Sequence, residues 1–277
     1  MSGADNEHNE INRGVGKDGQ SGHGETARHG EISRHSGFNR HQGPYELYIK
    51  RPLDILCALA ALIVFSWLYL ILIILGVIFM RGNPFFTQDR PGKDEKIFKL
   101  IKFRTMDNRK DENGNLLPDE VRLNKYGRFL RSSSLDELPE AFNILKGDMS
   151  VIGPRPQLVR DMVFMTPEQR QRHTVRPGLS GLAQIRGRNA ISWDGKLATD
   201  LEYIKKVTFV GDIKIIVDTV KQVFFKQNGL EGPENSDIDE IKITDDFGDY
   251  LLKAGRISQE EYDDKQKEAI ELLRGVS

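Results

Sequence analysis

The sequence is poor in cysteine throughout and in histidine beyond residue 41. Cys57 is the only cysteine among 277 residues, and five of the six histidines fall in the first 41. A single cysteine excludes a disulfide framework within the chain, which is typical of proteins from a reducing compartment. The side chains left to carry chemistry in the body of the chain are mainly carboxylates, arginines and lysines.

Apolar side chains are almost absent from residues 1–44. Such a composition cannot bury enough surface to fold, so a disordered polar tail is predicted. The stretch also lacks the apolar core and cleavage site of a signal peptide. Irregular histidine spacing makes a metal-binding tract the weaker interpretation. The histidines concerned are His8, His23, His29, His35 and His41.

The net charge of −1 conceals opposite charges on two parts of the chain. Residues 81–230 hold 27 lysines and arginines against 19 acids, whereas residues 231–277 hold 6 against 14. The basic part indicates phosphate-bearing ligands or an anionic membrane surface. Its excess is modest and shows no aromatic stacking pattern, so no nucleic-acid partner is expected.

Charge is absent from the 26 residues 55–80. About 20 apolar residues suffice to cross a bilayer, so a membrane helix is predicted at residues 45–81. Basic residues flank it on both sides, which gives no orientation and leaves a simple span and a re-entrant helix open. Trp67 and Tyr69 lie mid-run, unlike interfacial aromatics of a straight span, and Ser66 can bend a helix by bonding back to the preceding turn. These features favour the re-entrant topology.

The remaining pattern predicts an α+β fold that is mainly helical, with a domain of short strands and amphipathic helices at 82–229. Residues 97–106 indicate a strand, 107–124 a polar loop with an Asn-Gly turn, and 134–145 a helix. Two amphipathic helical pieces are predicted within 200–229, and an interfacial and a core-facing role are equally open. The apolar positions of the second piece are Ile213, Ile216, Val217, Val220, Val223 and Phe224.

The C-terminal part is predicted to consist of an acidic linker at 230–247 and a helical hairpin at 248–277. Its two helices flank Gly255, and Ser258 and Glu261 have the spacing of a capping box on the second. These residues resemble the small SHOCT module found at the ends of many bacterial proteins. The resemblance implies binding of a protein partner or self-association.

Two acids, Asp136 and Glu137, stand side by side at the predicted helix start. Ser134 and Glu137 have capping-box spacing, but Asp136 could itself be the cap with Pro139 in the first turn, so the register stays open. Either way, both carboxylates lie where the helix dipole favours negative charge. Acids at a helix start are common in purely structural roles, so this stretch alone does not establish catalysis.

Arginines near these acids strengthen the case for chemistry. Arg131 precedes the pair, and Gly153-Pro154-Arg155-Pro156 places an arginine on a backbone stiffened by two prolines. The planar guanidinium suits phosphate oxygens. Carboxylates beside arginines suit Mg²⁺-assisted phosphoryl transfer, in which one carboxylate attacks phosphorus and the other holds the metal.

Several long motifs resemble those of the bacterial sugar transferases, also called monotopic phosphoglycosyl transferases, over residues 46–226. The resemblance implies transfer of a sugar-1-phosphate from a UDP-sugar to a membrane polyprenyl phosphate (undecaprenyl phosphate), with release of UMP. This would initiate a surface polysaccharide or glycoconjugate at the bacterial inner membrane, with the catalytic domain facing the cytoplasm. The motifs are KRPLD (50–54), GNPFFTQDRPGKDEKIFKLIKFRTM (82–106), LRSSSLDELPEAFNILKGDMSVIGPRPQL (130–158) and RPGLSGLAQIRGRN (176–189).

The same resemblance implies roles for individual residues. Asp136 would attack the sugar-bearing phosphate and carry a phosphosugar intermediate, and Glu137 with Asp136 would hold Mg²⁺ or Mn²⁺. The implied substrate-binding residues are Arg131, Asp148, Pro154, Arg155 and Pro156. One position departs from the family pattern, because members often carry Ser-Pro in mid-helix where this chain has Ser66-Trp67. The departure keeps the simple span open.

A second function also stays open on sequence grounds. The chain could be a membrane-anchored scaffold that keeps the fold without its chemistry and recruits partners through its C-terminal segment. The intact pair of acids and Arg155 favour the enzyme. Sugar specificity is predicted to lie in residues 157–200, including Arg186, Arg188, Asn189 and Trp193.

Overall fold

A computed structural model describes residues 40, 42–187, 191–225 and 246–275, without the side chains of 223–225. The predicted N-terminal tail and acidic linker lie almost wholly outside these residues. The described part is mainly helical, which confirms the predicted α+β class. Its α-helices are Lys50–Val64 (α1), Ser66–Met80 (α2), Asp119–Arg122 (α3), Lys125–Ser133 (α4), Glu140–Lys146 (α5), Val159–Met162 (α6), Pro167–Arg170 (α7), Leu182–Arg186 (α8), Trp193–Lys205 (α9), Phe209–Phe225 (α10), Phe247–Lys253 (α11) and Gln259–Arg274 (α12).

Four short strands form two separate pairs. Phe85–Pro91 (β1) and Ile97–Phe103 (β2) are antiparallel, and Ser150–Ile152 (β3) and Gly178–Ser180 (β4) are parallel. The predicted strand at 97–106 is therefore confirmed but ends at Phe103. The next amide, that of Arg104, donates to the Pro84 carbonyl at 2.7 Å and so continues the register of the ladder by one more pair.

The apolar run forms two helices instead of one, and they meet at an angle of 66°. Among the described residues no single helix is long and apolar enough to span a bilayer, although Tyr45–Val64 and Ser66–Met80 meet the criteria of length and composition together. The break lies at Phe65 (φ −95°, ψ 11°), next to the predicted position. Its predicted cause is wrong, since the Ser66 hydroxyl forms no back-bond to that turn within the described chain.

Helix α1 is bound to the rest of the domain through polar side chains in its first turns. The guanidinium of Arg51 donates to the carbonyls of Ile144 at 2.7 Å and Leu145 at 3.0 Å, in the last turn of α5. Asp54, only 5% exposed, accepts from the Ser150 hydroxyl at 2.7 Å and from the next amide of β3 at 2.9 Å. These bonds satisfy carbonyls that a helix end leaves unpaired and fix α1 to both α5 and β3.

Helix α2 is also bound to the domain by polar side chains, through two tyrosine hydroxyls on its buried side. The Tyr69 hydroxyl donates to the Leu138 carbonyl, and the Tyr126 hydroxyl of α4 donates to the Leu72 carbonyl at 2.9 Å. Tyr69 is thus a buried contact of the domain, whereas its neighbour Trp67 is 62% exposed. The aromatic residues in mid-run therefore have different positions, one packed on the domain and one facing outward.

The side-chain amide of Asn143 forms hydrogen bonds with the free edge of β2, as the backbone of a neighbouring strand would. Its Oδ1 accepts from the Ile101 amide at 3.0 Å, and its Nδ2 donates to the Lys99 carbonyl at 2.8 Å. Because Asn143 lies in α5 and is 1% exposed, these bonds hold that helix at a fixed register along the strand. This register decides which side chains of β2 and α5 meet.

Glycines allow strands β3 and β4 to approach each other closely, just before the loop that carries Arg155. A Cβ atom added to Gly178 would lie 2.0 Å from the Gly153 nitrogen and 2.4 Å from the Ser180 oxygen. Both obstacles are backbone atoms, so no side chain can move aside. The strand pair therefore requires glycine at this position.

We expect Gly178→Ala to lower the free energy of unfolding by about 1–3 kcal/mol, because the added methyl group forces the two strands apart. Gly82→Ala is the matched control, since a Cβ at Gly82 meets no atom within 4 Å. Thermal unfolding of both variants in the same detergent or nanodisc measures the difference. Equal stability of the two variants would contradict the close approach of β3 and β4.

The two helical pieces predicted at 200–229 are confirmed as α9 and α10, although α9 begins at Trp193. Helix α10 has the core-facing role on one side, and its interfacial role stays a prediction. Ile215 is 3% exposed and packs into the core, whereas a second face carries Val210 at 77%, Val217 at 44% and Val220 at 48% exposure. One side of this amphipathic helix is thus core, and the other is an open apolar surface.

Candidate active site

The two acids lie in a 3₁₀ turn, Leu135–Glu137, between α4 and α5. Ser134 has left-handed backbone angles (φ 57°, ψ 18°) and ends α4, and its side chain caps neither helix. Both predicted cap assignments are therefore wrong, because α5 begins only after Pro139. The reason is the unpredicted helix α4, whose C-terminal turn uses the Ser134 amide and bends the chain before a new α-helix can start.

The ammonium group of Lys102 lies among three carboxylates. Its Nζ is 2.9 Å from Glu137 Oε1, 3.1 Å from Glu140 Oε1 and 4.0 Å from Asp136 Oδ2. Lys102 and Glu140 were not identified from the sequence. Asp136 keeps only the longest of these contacts, so its carboxylate is the least engaged of the three.

The three carboxyl groups differ in their affinity for a proton. Burial raises the pKa of Glu140, and Glu137 adds to this while Lys102 opposes it. Burial acts on Glu137 in the same direction, but Arg155 and Lys102 outweigh it and hold the pKa of Glu137 well below its usual range. Burial also raises the pKa of Asp136, with Lys102 opposing and Glu137 adding to the shift. Glu137 is thus the acid held most firmly in its charged form.

Arg155 reaches the pair of acids from the loop after β3. Its Nη2 donates to Glu137 Oε1 at 2.7 Å, while the side chain remains 43% exposed. Pro154 and Pro156 are buried on either side, so the loop is fixed and the guanidinium projects from it. The structure therefore brings together the acids and the arginine that lie 18 residues apart in sequence.

A buried ion pair supports this loop from behind. The Arg172 guanidinium donates to Asp200 Oδ2 from Nε at 3.0 Å and from Nη2 at 2.6 Å, and the two side chains are 1% and 3% exposed. The same Nη2 donates to the carbonyl oxygen of Arg155 at 2.6 Å. Arg172 is a positioning residue for Arg155, because it fixes the backbone from which that side chain extends.

Of the remaining predicted site residues, Arg131 lines the cavity over the acids and Asp148 does not. The Nε of Arg131 donates to Thr105 Oγ1 at 3.0 Å. Asp148 is held by Asn143 and Lys146, each at 3.3 Å, and does not line the cavity formed by the described residues. A substrate-binding role for Asp148 therefore stays a prediction.

A cavity of about 1160 Å³ opens over the acids and extends to helix α1. Its lining combines basic and polar side chains with apolar side chains from α1 and α10. Such a cavity can hold a phosphate-bearing head and an apolar chain at the same time. Its basic and polar lining includes Arg90, Lys102, Arg104, Arg131, Arg155, Gln184 and Lys196. Its apolar lining includes Ala58, Ala61, Ile216 and Val220.

The two predicted specificity residues that the structure describes, Arg186 and Trp193, do not line this cavity. Trp193 is 7% exposed in an apolar cluster, and Arg186 forms an exposed ion pair with Glu202. Arg188 and Asn189 lie outside the described residues. Lys196 and Gln184 of the same region line the cavity instead.

The sequence did contain signals for the two missed residues. Lys102 shares the alternating face of β2 with the buried Phe98 and Leu100, so it is a lysine on an otherwise apolar side. Glu140 lies one helical turn before the buried Ile144 and is itself 3% exposed. Charges at core-facing positions indicate a partner, although the pattern does not identify which one.

The carboxylates at this site fit Mg²⁺. Within the described residues no three potential ligands meet at metal-binding geometry, so the protein alone does not form a complete site. Mg²⁺ usually takes one or two carboxylates and completes its shell with substrate phosphates and water. Asp136 and Glu137 supply such an incomplete oxygen set, and the position of the Lys102 ammonium group shows that this point favours a cation.

Comparison with known proteins identifies the chain's relatives. Residues 45–226 match the family described as bacterial sugar transferase. The uncharacterized sugar transferase EpsL of Bacillus subtilis is 46% identical over 183 residues, which are 65% of this chain and 90% of that protein. An Aeromonas hydrophila UDP-N-acetylgalactosamine-undecaprenyl-phosphate N-acetylgalactosaminephosphotransferase is 36% identical over 65% of this chain and 44% of its own.

A third relative is the undecaprenyl-phosphate galactose phosphotransferase of Salmonella typhimurium, 34% identical over 64% of this chain and 40% of its own. This chain thus spans less than half the length of the two named phosphotransferases and most of EpsL. The matched residues include Asp136, Glu137 and Arg155 and end before α11 and α12. The family predicted from the motifs is confirmed, and with it an enzyme: the chain belongs to the bacterial sugar transferase family.

Proposed function

We propose that this enzyme transfers a sugar-1-phosphate from a UDP-sugar to undecaprenyl phosphate in the membrane and releases UMP. The two phosphotransferases named above act, by their names, on undecaprenyl phosphate, and other relatives are exopolysaccharide production proteins. We therefore assign the chain to the first membrane step of a surface polysaccharide or glycoconjugate. Its partners are a UDP-sugar, the polyprenyl phosphate and the bilayer.

The observation that carries this proposal is the division of labour between Asp136 and Glu137. Glu137 is held by Lys102 and Arg155 at 2.9 and 2.7 Å, whereas the ion pair of Asp136 with Lys102, among the described residues, is longer at 4.0 Å. A carboxylate that attacks phosphorus has to be free of strong hydrogen bonds, since these lower its reactivity. Asp136 meets this requirement, and Glu137 is suited to remain charged and bind a cation.

The reaction proceeds in two displacements at one phosphorus atom. A carboxylate oxygen of Asp136 forms a bond to the sugar-bearing phosphorus, the bond from that phosphorus to the bridging oxygen breaks, and UMP leaves. An oxygen of polyprenyl phosphate then attacks the phosphorus of the aspartyl intermediate and releases the Asp136 carboxylate. Arg155 and Arg131 hold the phosphate oxygens by charge-assisted hydrogen bonds during both steps.

Asp136 and Glu137 would hold Mg²⁺ or Mn²⁺ together with the substrate's phosphate oxygens. The metal, when bound, neutralises charge that develops on the transferred phosphoryl group. Glu137 orients this set, since its two basic neighbours keep it ionised.

We infer that the bent pair α1 and α2 holds this site at the cytoplasmic face of the bacterial inner membrane. We assign it the re-entrant topology, supported by the 66° bend and by basic residues before and after the run. The open apolar face of α10 would lie in the headgroup region, beside the cavity that Ile216 and Val220 of this helix help to line. A polyprenyl chain could then enter the cavity while its phosphate reaches Asp136.

The proposal is tested by trapping the intermediate. Purified protein in nanodiscs is mixed with UDP-sugars and Mg²⁺ but no acceptor, quenched, and digested for mass spectrometry. We expect the added mass of a sugar phosphate on the peptide containing Asp136, together with one equivalent of UMP. A panel of UDP-sugars identifies the donor. Absence of both signals with every donor would favour the membrane-anchored scaffold.

Arg155→Lys is expected to raise the KM for the UDP-sugar by about tenfold or more, because the substitution removes part of a charge-assisted contact worth roughly 1.5–3 kcal/mol. Vesicle sedimentation should show unchanged membrane binding. Arg128→Lys is the matched control, since Arg128 is exposed on the neighbouring helix and does not line the described cavity. Equal loss of nucleotide use and membrane binding in Arg155→Lys would indicate misfolding instead.

A further inference from the structure

The C-terminal helices α11 and α12 pack on the catalytic domain. Phe247, Leu251 and Ala269 are 1%, 5% and 2% exposed. Their apolar cluster is completed by Val163, Phe164, Met165, Trp193 and Leu197 of the domain. The buried apolar side of these helices is therefore covered by the chain itself, and binding of a protein partner or self-association through this segment stays a prediction.

A single buried carboxylate connects these helices to the arginine loop. Asp161 is 2% exposed, and its Oδ1 accepts from the Phe247 amide at 3.0 Å. Its Oδ2 accepts from the Leu158 amide, also at 3.0 Å. Leu158 lies only two residues after Pro156. The start of α11 and the end of the Arg155 loop thus share one anchor.

Helix α9 forms a second connection between the C-terminal helices and the cavity. On one face, the Trp193 ring lies 5.0 Å from that of Phe247. On another, Lys196 and Asp200 line the cavity, and Asp200 holds the Arg172 that binds the Arg155 carbonyl. The position of α9, and of the charges that it presents, therefore depends on what packs behind it.

Polar contacts at the rim extend this attachment. Asp194 of α9 accepts from the Tyr250 hydroxyl at 3.1 Å and from Arg256 at 2.7 Å, and Arg160 forms an ion pair with Asp246 at 2.5 Å. Packing is close as well, since a Cβ on Gly248 would lie 2.5 Å from the Phe164 ring. The interface is thus specific in shape and in charge.

We propose that α11 and α12 form an intramolecular brace that holds the Arg155 loop and Lys196 in place on one wall of the cavity, and thereby sets how tightly the enzyme binds its sugar nucleotide. The proposal rests on the proposed function, which supplies the nucleotide as ligand. The brace, Asp246–Gly275, lies beyond the residues that match the family, so it adds a control that the matched domain does not contain.

Neighbouring positions of α12 allow a matched test in the full-length protein. Ala269 is 2% exposed in the interface, whereas Ile270 is 49% exposed. Ala269→Asp and Ile270→Asp place the same charge in the same helix, but only the first buries it. We expect Ala269→Asp to raise the KM for the UDP-sugar by about tenfold, within the usual range of coupling between two sites, with little change in kcat. Ile270→Asp should stay within about twofold of the parent.

Hydrogen exchange provides a readout that does not depend on turnover. In Ala269→Asp, the Leu158 amide should lose protection because Asp161 is no longer held by the Phe247 amide, while amides of α5 keep theirs. If the α5 amides also lose protection, the variant has unfolded, and Ala269→Ser then carries the same test with a smaller disturbance. UDP-sugar should restore Leu158 protection in these variants at higher concentration than in the parent.

The outcomes of these experiments distinguish failure of the brace from failure of the proposed transferase activity. Loss of Leu158 protection together with a raised KM supports the brace. An unchanged KM despite lost protection overturns it, as does a KM that rises equally in Ile270→Asp. If no UDP-sugar is turned over by the parent, the proposed function fails, and unchanged exchange at Leu158 in Ala269→Asp would overturn the brace independently.

Discussion

Asp136→Asn should abolish turnover, with a loss on the order of 10⁴- to 10⁶-fold, as when other enzymes lose a covalent nucleophile. An amide oxygen carries no charge and cannot form the acyl phosphate that the two-step reaction requires. The measurement is UMP release from the UDP-sugar, together with the mass of the quenched protein. Neither UMP nor an added sugar phosphate should be detected.

The fold of Asp136→Asn should remain intact. Because burial raises the pKa of Asp136, the folded state disfavours its charged form, and neutralising it should leave the unfolding temperature unchanged or higher. Asp264→Asn serves as the control, since this side chain is 67% exposed and only forms a surface ion pair. Normal turnover in Asp136→Asn would exclude the proposed nucleophile.

The second large effect is expected on stability. Asp200→Asn should lower the free energy of unfolding by about 3–5 kcal/mol, because it leaves the Arg172 guanidinium buried without its countercharge. Both side chains are at most 3% exposed, so water cannot replace the lost charge. Chemical denaturation of the nanodisc-bound protein, followed by fluorescence, measures the change.

Two further variants sharpen this prediction. Glu202→Gln removes one partner of the exposed pair with Arg186 and should cost less than about 1 kcal/mol. The double variant Arg172→Met/Asp200→Leu should recover stability, since apolar residues can replace a buried pair. It should still bind UDP-sugar poorly, because the Arg155 carbonyl has lost its donor. Full stability of Asp200→Asn would contradict the importance of the pair.

The sequence predicted what is encoded locally. The acids and the arginine between two prolines are recognisable because short motifs contain them, and the mainly helical class follows from periodicity. Lys102 escaped detection because its partner Glu137 lies 35 residues further along the chain. Their contact depends on the register of β2 against α5, which is set by Asn143. No local pattern contains that register.

Helix ends were harder to predict than helices. Ser134 has an ideal capping sequence, but its backbone is used to end α4, and this depends on how Tyr126 and Leu130 pack. The bend at Phe65 was predicted at the right place for a reason that does not hold. The C-terminal helices were predicted as a separate module, since their periodicity reveals an apolar face but not the surface that covers it.

The attachment of α1 and α2 means that the apolar segment is not an interchangeable part. Arg51, Asp54 and Tyr69 each bond to the backbone of the catalytic body, at α5, β3 and the carbonyl beside Glu137. A chimaera carrying a foreign transmembrane helix would lack these three side chains and would leave their backbone partners in the domain without hydrogen bonds. Soluble versions of this enzyme therefore have to be engineered by replacing exposed apolar residues around Trp67 with polar ones. Deleting α1 and α2 would instead remove contacts that the catalytic domain needs.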